Sequence, residues 1–268
     1  DTGYGVAGLG ASPIVPDFEK RTIAEDERTV TVINGMGQTV KILKDKFAMP
    51  QFIDWPVKDR ATWKELKKRL DPNTPGRYRP DWDVYVKELN SKDIPTVLQV
   101  GGFYGHPRDW IGSENILYMF HDDPWLIEDM MDQLLYLETE IIKRVARDTK
   151  IDEAYLYEDV AYKAGPLISP AMVKKFMMPR YKKLTETLHS YGIDIITVDC
   201  DGNVEQLIPL WLESGINCVW PLEQAANNDI VSYRKKYGKN LILTGGIDKR
   251  ALAKDKESIR NEVMSKVP

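Results

Sequence analysis

Four acidic residues, Glu158, Asp199, Asp201 and Glu223, each stand at or just past the end of a short apolar run. A carboxylate there is costly to bury unless it is paired, hydrogen-bonded or bound to a metal. Several facing a common opening raise one another's pKa, as general acid and base chemistry requires. These four are the candidate catalytic residues, the alternative being structural ion pairs with Lys163, Arg108 or Lys249. Around them stand His106, Arg108, Tyr162, Lys163, Asn203, Gly245, Gly246 and Asp248, the candidate substrate-binding residues. Paired glycines at a strand end admit a ligand close to the backbone, although tight turns alone also call for them. Asn203, with Gln206 at capping-box spacing, and Asp248 could equally cap helices. Cys200 and Cys218 read as buried thiols or as metal ligands. His121 and His189 sit in or beside helices and read as structural. The glycines lack the spacing of a phosphate loop or a dinucleotide fingerprint.

The elements that must position these residues follow from apolar patterning. Strands are expected at PTVLQVGG (Pro95 to Gly102), EAYLYED (Glu153 to Asp159), DIITVD (from Asp194), INCVWP (from Ile216) and NLILTGG (from Asn240). Their starts recur about every 22 to 24 residues toward the C-terminus, the length of a strand-loop-helix-loop unit. A long helix is expected after Asp122-Asp123-Pro124, with Ile127, Met130, Leu134, Leu137, Ile141 and Val145 at helical spacing. Another opens at Ser169-Pro170 and closes near Gly192. Parallel strands alternating with helices predict a (β/α)8 barrel, whose chemistry lies on the loops after the strands. Every candidate cluster falls there.

Residues 1–94 have a different texture. Gly3, Gly5, Gly8 and Gly10 before Pro13 and Pro16 predict an irregular loop. Arg28 to Leu43 carries TVTVINGMGQTVKIL, a β-hairpin turning at Asn34-Gly35-Met36-Gly37. A helix is expected over Arg60 to Leu70, then loop to Trp82. The expected organisation is one barrel domain, 1–268, with an irregular N-terminal portion (1–94) and regular βα units (95–268).

Composition narrows the class. The chain has 268 residues, 43% hydrophobic and 29% charged, with a net charge of -4, which is no footprint for general nucleic-acid binding. No apolar run reaches the roughly 18 residues of a membrane span. Two cysteines make no disulfide scaffold and fit a reducing cytosol, so a cytoplasmic enzyme is expected.

Several segments together resemble the uroporphyrinogen decarboxylase superfamily. They are Tyr157-Glu158-Asp159 leading to Tyr162-Lys163-Ala164-Gly165-Pro166-Leu167-Ile168-Ser169-Pro170, then Pro179-Arg180-Tyr181, Asp199-Cys200-Asp201-Gly202-Asn203, Asn217 to Glu223, and Gly245-Gly246-Ile247-Asp248-Lys249. The resemblance covers the chain from about Leu98 onward and implies a (β/α)8 barrel. It also implies one of two activities. The decarboxylase works without a cofactor on an acidic tetrapyrrole, but its N-terminal arginine-rich and Phe-Ser-Asp motifs are not found here. The methyltransferase branch works with corrinoid proteins and commonly binds zinc through His-x-Cys-Gly and a distal cysteine. Here Asp199 takes the histidine position and Asp201 the cysteine position, a harder and weaker zinc set. The distal ligand would fall beyond Pro268, and an incomplete barrel, lacking an N-terminal part and the last βα unit, is expected.

The function expected first is corrinoid-linked methyl transfer to or from a small substrate, with a corrinoid protein as partner and a homodimer as assembly. In it a zinc ion on Asp199 and Asp201, with Glu158 or Glu223, acts as a Lewis acid. His106, Arg108, Tyr162 and Lys163 line the entrance, and Gly245, Gly246 and Asp248 close the far side. The alternatives are decarboxylation of a uroporphyrinogen-like polycarboxylate, and a non-catalytic barrel that only binds a corrinoid or tetrapyrrole.

Overall fold

The computed structural model describes residues 5–6, 13–46 and 48–266. The glycine-rich start, expected as loop, contains a strand. β1 (Gly5–Val6) pairs in parallel further down the chain, and a two-residue pairing leaves no periodicity to read. Gly3, Gly8 and Gly10 lie outside the described residues. Four antiparallel strands follow, β2 (Arg21–Glu25), β3 (Thr29–Ile33), β4 (Thr39–Leu43) and β5 (Gln51–Asp54), in that spatial order. The expected hairpin is β3–β4, with Ile33 opposite Thr39. Its turn is held by the Asn34 side chain, whose Oδ1 accepts from the N–H groups of Met36 and Gln38 at 3.0 Å each. The positive φ falls on Gly37 (81°) rather than on Asn34-Gly35. Because β2 and β5 are exposed along their whole length, no burial-driven alternation marks them in the sequence.

Helix α1 (Arg60–Lys67) is closed at its start by an Asp59–Thr62 capping box. α2 (Trp82–Asn90) occupies a stretch to which no element is assigned above, although Trp82, Val86 and Leu89 have helical spacing and are buried together. Then β6 (Thr96–Gly101) leads into α3 (Gly105–Ile111), α4 (Asn115–Asp122) and α5 (Pro124–Asp148). The Asp123 side chain caps α5 by accepting from the Leu126 N–H. β7 (Glu153–Tyr157) is followed by a small ladder, β8 (Ala161–Tyr162) with β9 (Gly165–Pro166). Ser169 caps α6 (Pro170–Met172), which runs through a π-helical turn at Val173–Met177 into α7 (Met178–Ser190). The remaining units are β10 (Ile195–Asp199), α8 (Ile208–Glu213), β11 (Cys218–Leu222), α9 (Ile230–Tyr237), β12 (Ile242–Gly245), α10 (Lys249–Leu252) and α11 (Lys256–Lys266).

The molecule is thus an α/β fold. Its parallel sheet runs β1-β6-β7-β10-β11-β12, every strand beside its predecessor in that series, with the antiparallel sheet attached. Register fixes the faces. Gln99 lies opposite Tyr155, and Tyr155 opposite Thr197; one step on, Gly101 lies opposite Tyr157, Tyr157 opposite Asp199, and Asp199 opposite Trp220. With a side-chain period of two, these residues share one face. Leu98, Val100, Ala154, Leu156, Ile196, Val198 and Val219 take the other and are buried. The core is continuous from Ile14, Trp63 and Leu66 through α5 and α7 to Leu241, so the N-terminal part and the βα units share it.

Candidate active site

A cavity of about 370 Å³ opens around the C-terminal ends of β6, β7 and β10. Gln99, Gly101, Tyr155, Tyr157 and Asp199 reach it from the strands, His106 and Asp109 from α3, and Glu138 and Ile141 from α5. Pro13 and Met36 of the N-terminal part complete the described wall, with the hairpin turn fixed by the Gln38 amide donating to the Asp109 carbonyl at 2.8 Å. Burial pushes the Asp199 carboxyl up to about 6, against a hydrogen bond from the Tyr155 hydroxyl and with nearby Asp201 and Asp159 adding to it. Asp109 is likewise raised to about 6 by burial, opposed by Arg108. Glu138 is raised to about 7 by burial, opposed by the Gly101 N–H and by Arg77. His106 is pushed down to about 4 by burial and by Arg108, and so is neutral at pH 7. Its ring stacks on Trp110 with centroids 5.8 Å apart. A carboxyl near 6 beside a half-buried opening can hold and give up a proton near neutral pH.

Arg108 stands behind this wall. Its guanidinium donates to Asp159 Oδ2 at 2.6 Å and to the Tyr157 hydroxyl, and it lies 3.4 Å from Asp109 Oδ1. Asp159 holds a left-handed backbone (φ 49°), which Asp tolerates better than most residues. Arg108 is therefore a fixed partner of carboxylates, with 13% of its side chain exposed.

Glu158 faces the opposite side of the strand end. It is fully buried, and its carboxylate accepts from the N–H groups of Phe103 and Tyr104 at 2.7 Å each, from Gly105 at 3.3 Å, and from the Tyr181 hydroxyl at 2.6 Å. Burial raises its pKa, and those four donors work against the rise. What Glu158 does is shape the loop after β6 that delivers His106.

The other acids gather elsewhere. Asp201, Glu223, Gly245, Gly246 and Lys249 line a second cavity of about 310 Å³ beyond Trp220. Trp220 meets Tyr155 of the first cavity with ring centroids 5.9 Å apart, so these two rings stand between the chambers. Glu223 is ion-paired to Lys249 and accepts from the Gly202 N–H at 2.8 Å. Burial works upward on its carboxyl, but these donors hold it below the ordinary range. Exposed Asp201 is raised by burial and by Glu223.

Several candidates have structural partners. Asn203 donates to the Ala226 carbonyl at 2.9 Å and accepts from the Glu205 N–H, a turn rather than the capping box with Gln206. Asp248 caps α10 through the Arg250 N–H and pairs with the Arg250 guanidinium. Gly245 and Gly246 have φ of 114° and 85°, and a Cβ on Gly245 would stand 2.6 Å from the Leu222 nitrogen. Tyr162 and Lys163 are exposed on the β8–β9 ladder, away from the first cavity's described lining. His121 and His189 are exposed at helix ends, and both cysteines are buried free thiols.

The metal expectation does not fit this arrangement. Asp199 lines one chamber and Asp201 the other, while Cys200 between them turns into the core with its thiol 3.4 Å from the Asp201 carbonyl. Among the described residues no three His, Cys, Asp or Glu side chains are grouped to hold an ion. No chemical step is therefore derived through a metal. Nor does any helix of the described residues have the length and apolarity to cross a membrane.

The cavity also contains residues that sequence reasoning missed. Tyr155 and Tyr157 alternate with Ala154 and Leu156, so parity placed them on the face of Asp199. Glu138 had only one signal, a lone acid on the apolar stripe of α5.

No curated protein matches the chain. Among solved structures, a methyltransferase from Methanosarcina mazei is similar in fold, with a TM-score of 0.54 and 15% identity over 85% of this chain and 67% of that one. The family model described as uroporphyrinogen decarboxylase matches residues 28–267. That match spans β3 to β5 of the antiparallel sheet and the strand ends bearing the acids, and the chain belongs to the uroporphyrinogen decarboxylase family.

Proposed function

We propose that the protein is a methyltransferase-like enzyme moving a methyl group between a small methylated compound and a corrinoid presented by a partner protein. In this reading the parallel sheet is the larger part of a (β/α)8 barrel. One observation carries the choice between the family's activities: the ionisable lining of the main cavity is Asp109, Glu138, Asp199 and a neutral His106, with no lysine or arginine among its described residues. A uroporphyrinogen-like polycarboxylate would meet these acids without counter-charge, and unpaired charges in a half-buried site are costly. The volume also sits at the small end for ligand pockets, which suits a compact substrate.

The reduced corrinoid would supply the nucleophile that takes the methyl group as a formal cation. The chain's own residues serve the other half of the reaction. The bond from methyl carbon to heteroatom breaks with both electrons left on the heteroatom, which then takes the proton from the Asp199 carboxyl. Tyr155 orients that carboxyl through its hydroxyl. Ile141, Met36 and Pro13 provide the apolar wall that excludes water.

The test is anaerobic incubation with a panel of methyl ethers and methylamines and reduced cobalamin, with demethylated product followed by mass spectrometry. Protein-dependent product is expected, reduced about 100-fold or more in Asp199→Asn. Carbon dioxide from uroporphyrinogen without demethylation would overturn the reading in favour of decarboxylation. Tight cobalamin binding with no product from either substrate would make the protein a binding module instead.

A further inference from the structure

Asp159 is absent from the described lining of both chambers, yet its contacts converge on Asp199. Its backbone N–H and that of Glu158 both donate to the Asp199 carbonyl, at 3.1 and 2.9 Å. Its carboxylate returns to the same segment, where Oδ1 accepts from the Asp201 N–H at 3.3 Å. The chain is thus held just before and just after Cys200, at the point where β10 delivers Asp199 to the cavity. Asp159 does this from a left-handed backbone, with φ at 49°. Such a residue, when it is not glycine, persists where its surroundings over-determine it, and such residues cluster at functional sites. The main surrounding group here is Arg108, whose guanidinium donates to the Asp159 carboxylate at 2.6 Å and to its carbonyl at 3.1 Å. The same guanidinium donates to the Tyr157 hydroxyl and lies 3.4 Å from Asp109, and both of these residues line the cavity.

The charges follow the contacts. Asp199 is faced by Tyr155 and Tyr157 from β7, by Asp159 from the loop after β7, by Arg108 from α3 and by Asp201 from its own segment. Asp109, His106 and Glu138 complete the ionisable lining. A carboxyl beside carboxylates keeps its proton longer, and a guanidinium draws that proton off. Asp159 and Asp201 act in the first sense on Asp199, and Arg108 in the second. The two are coupled, because Asp159 is the nearest carboxylate to Arg108. Neutralising Asp159 therefore removes a repulsion and unmasks an attraction, both of which loosen the Asp199 proton. Neutralising Arg108 removes the attraction and tightens it.

We propose that Asp159, anchored by Arg108, is a positioning residue for Asp199, holding the end of β10 and placing a carboxylate charge behind the acid that faces the cavity. This role rests on the methyl-transfer reading only for the use made of the proton.

The experiment is a carboxyl NMR titration of the intact protein, isotopically labelled at aspartate, with the Asp199 signal assigned by its loss in Asp199→Asn. In the parent the midpoint is expected near 6. Asp159→Asn keeps an acceptor oxygen and tolerates the left-handed backbone, and in it the midpoint should fall by about one pH unit. In Arg108→Gln it should rise. An Asp159→Asn midpoint that stays in place or rises overturns the proposal, as does a shift of the same sign in both variants. Circular dichroism identifies a variant that does not fold, and the other then decides alone. The limb of single-turnover demethylation should move with the midpoint, so that the Asp159→Asn rate at pH 7 falls about tenfold. Midpoints shifted as expected, without demethylated product from the parent, leave the positioning role standing and overturn methyl transfer. Product from the parent with an unmoved midpoint in Asp159→Asn does the reverse.

Discussion

Asp199 and Glu158 are carboxylates one strand apart, and their surroundings give them opposite tasks. Asp199 opens on the cavity with its pKa raised from 3.8 to about 6 by burial, so its acid form is the one that thins out as pH rises. If that form protonates the departing heteroatom, single-turnover demethylation falls about tenfold per pH unit above 6, and the limb is missing in Asp199→Asn. A profile rising through the same range would sink the assignment. Glu158, by contrast, only accepts. Glu158→Gln replaces one acceptor oxygen by an amide that cannot receive the Tyr181 hydroxyl or a backbone N–H. The change is expected to destabilise the protein by about 1–3 kcal/mol in urea melts, from the donor left buried and unpaired.

At the scale of elements, the site depends on close approach between the loop after β6 and the end of β7. A Cβ on Gly102 would land inside the Tyr157 carbonyl oxygen, and one on Gly105 would stand 2.8 Å from Tyr157 Cδ1. Neither neighbour is a flexible side-chain end, so Gly102→Ala should cost roughly 3 kcal/mol or more and lower the melting temperature. The hairpin turn is a second element with a functional reach. Buried Gln38 ties it to Asp109, and Met36 beside it lines the cavity. In Gln38→Ala the loss of this bond should cost about 1 kcal/mol, and KM should rise while the pH limb of Asp199 stays in place. An unchanged KM would separate the turn from the site.

For the molecule as a whole, Glu138 links stability to pH. Its carboxyl rises from 4.5 to about 7 on burial, so the folded protein holds that proton more tightly than the unfolded chain. The contribution is present in full below pH 4.5 and is lost as pH rises through about 7. One pKa unit corresponds to about 1.4 kcal/mol, so the stability of Glu138→Gln relative to the parent should improve by about 3 kcal/mol between pH 4 and pH 8. Denaturant titrations at the two pH values check this, and a constant difference would show that Glu138 does not titrate there.

The sequence by itself determined the units. Apolar runs ending in acids and glycines marked β6, β7, β10, β11 and β12, and Asp123-Pro124 and Ser169-Pro170 marked helix starts, because caps and periodicity are local. The acids at the strand ends read as facing one opening, whereas the structure buries Glu158 and leaves Asp199 on the cavity. β1 and the outer strands of the antiparallel sheet left no such mark, being short or exposed on both faces. Only the tertiary structure divided the acids between two chambers beside Trp220 and Tyr155. It alone brought Glu138 from α5 to Gly101 and His106, and Met36 from the hairpin to the same cavity. Those meetings join residues far apart in the chain, and they depend on sheet register and on the seating of α5, which no local pattern encodes.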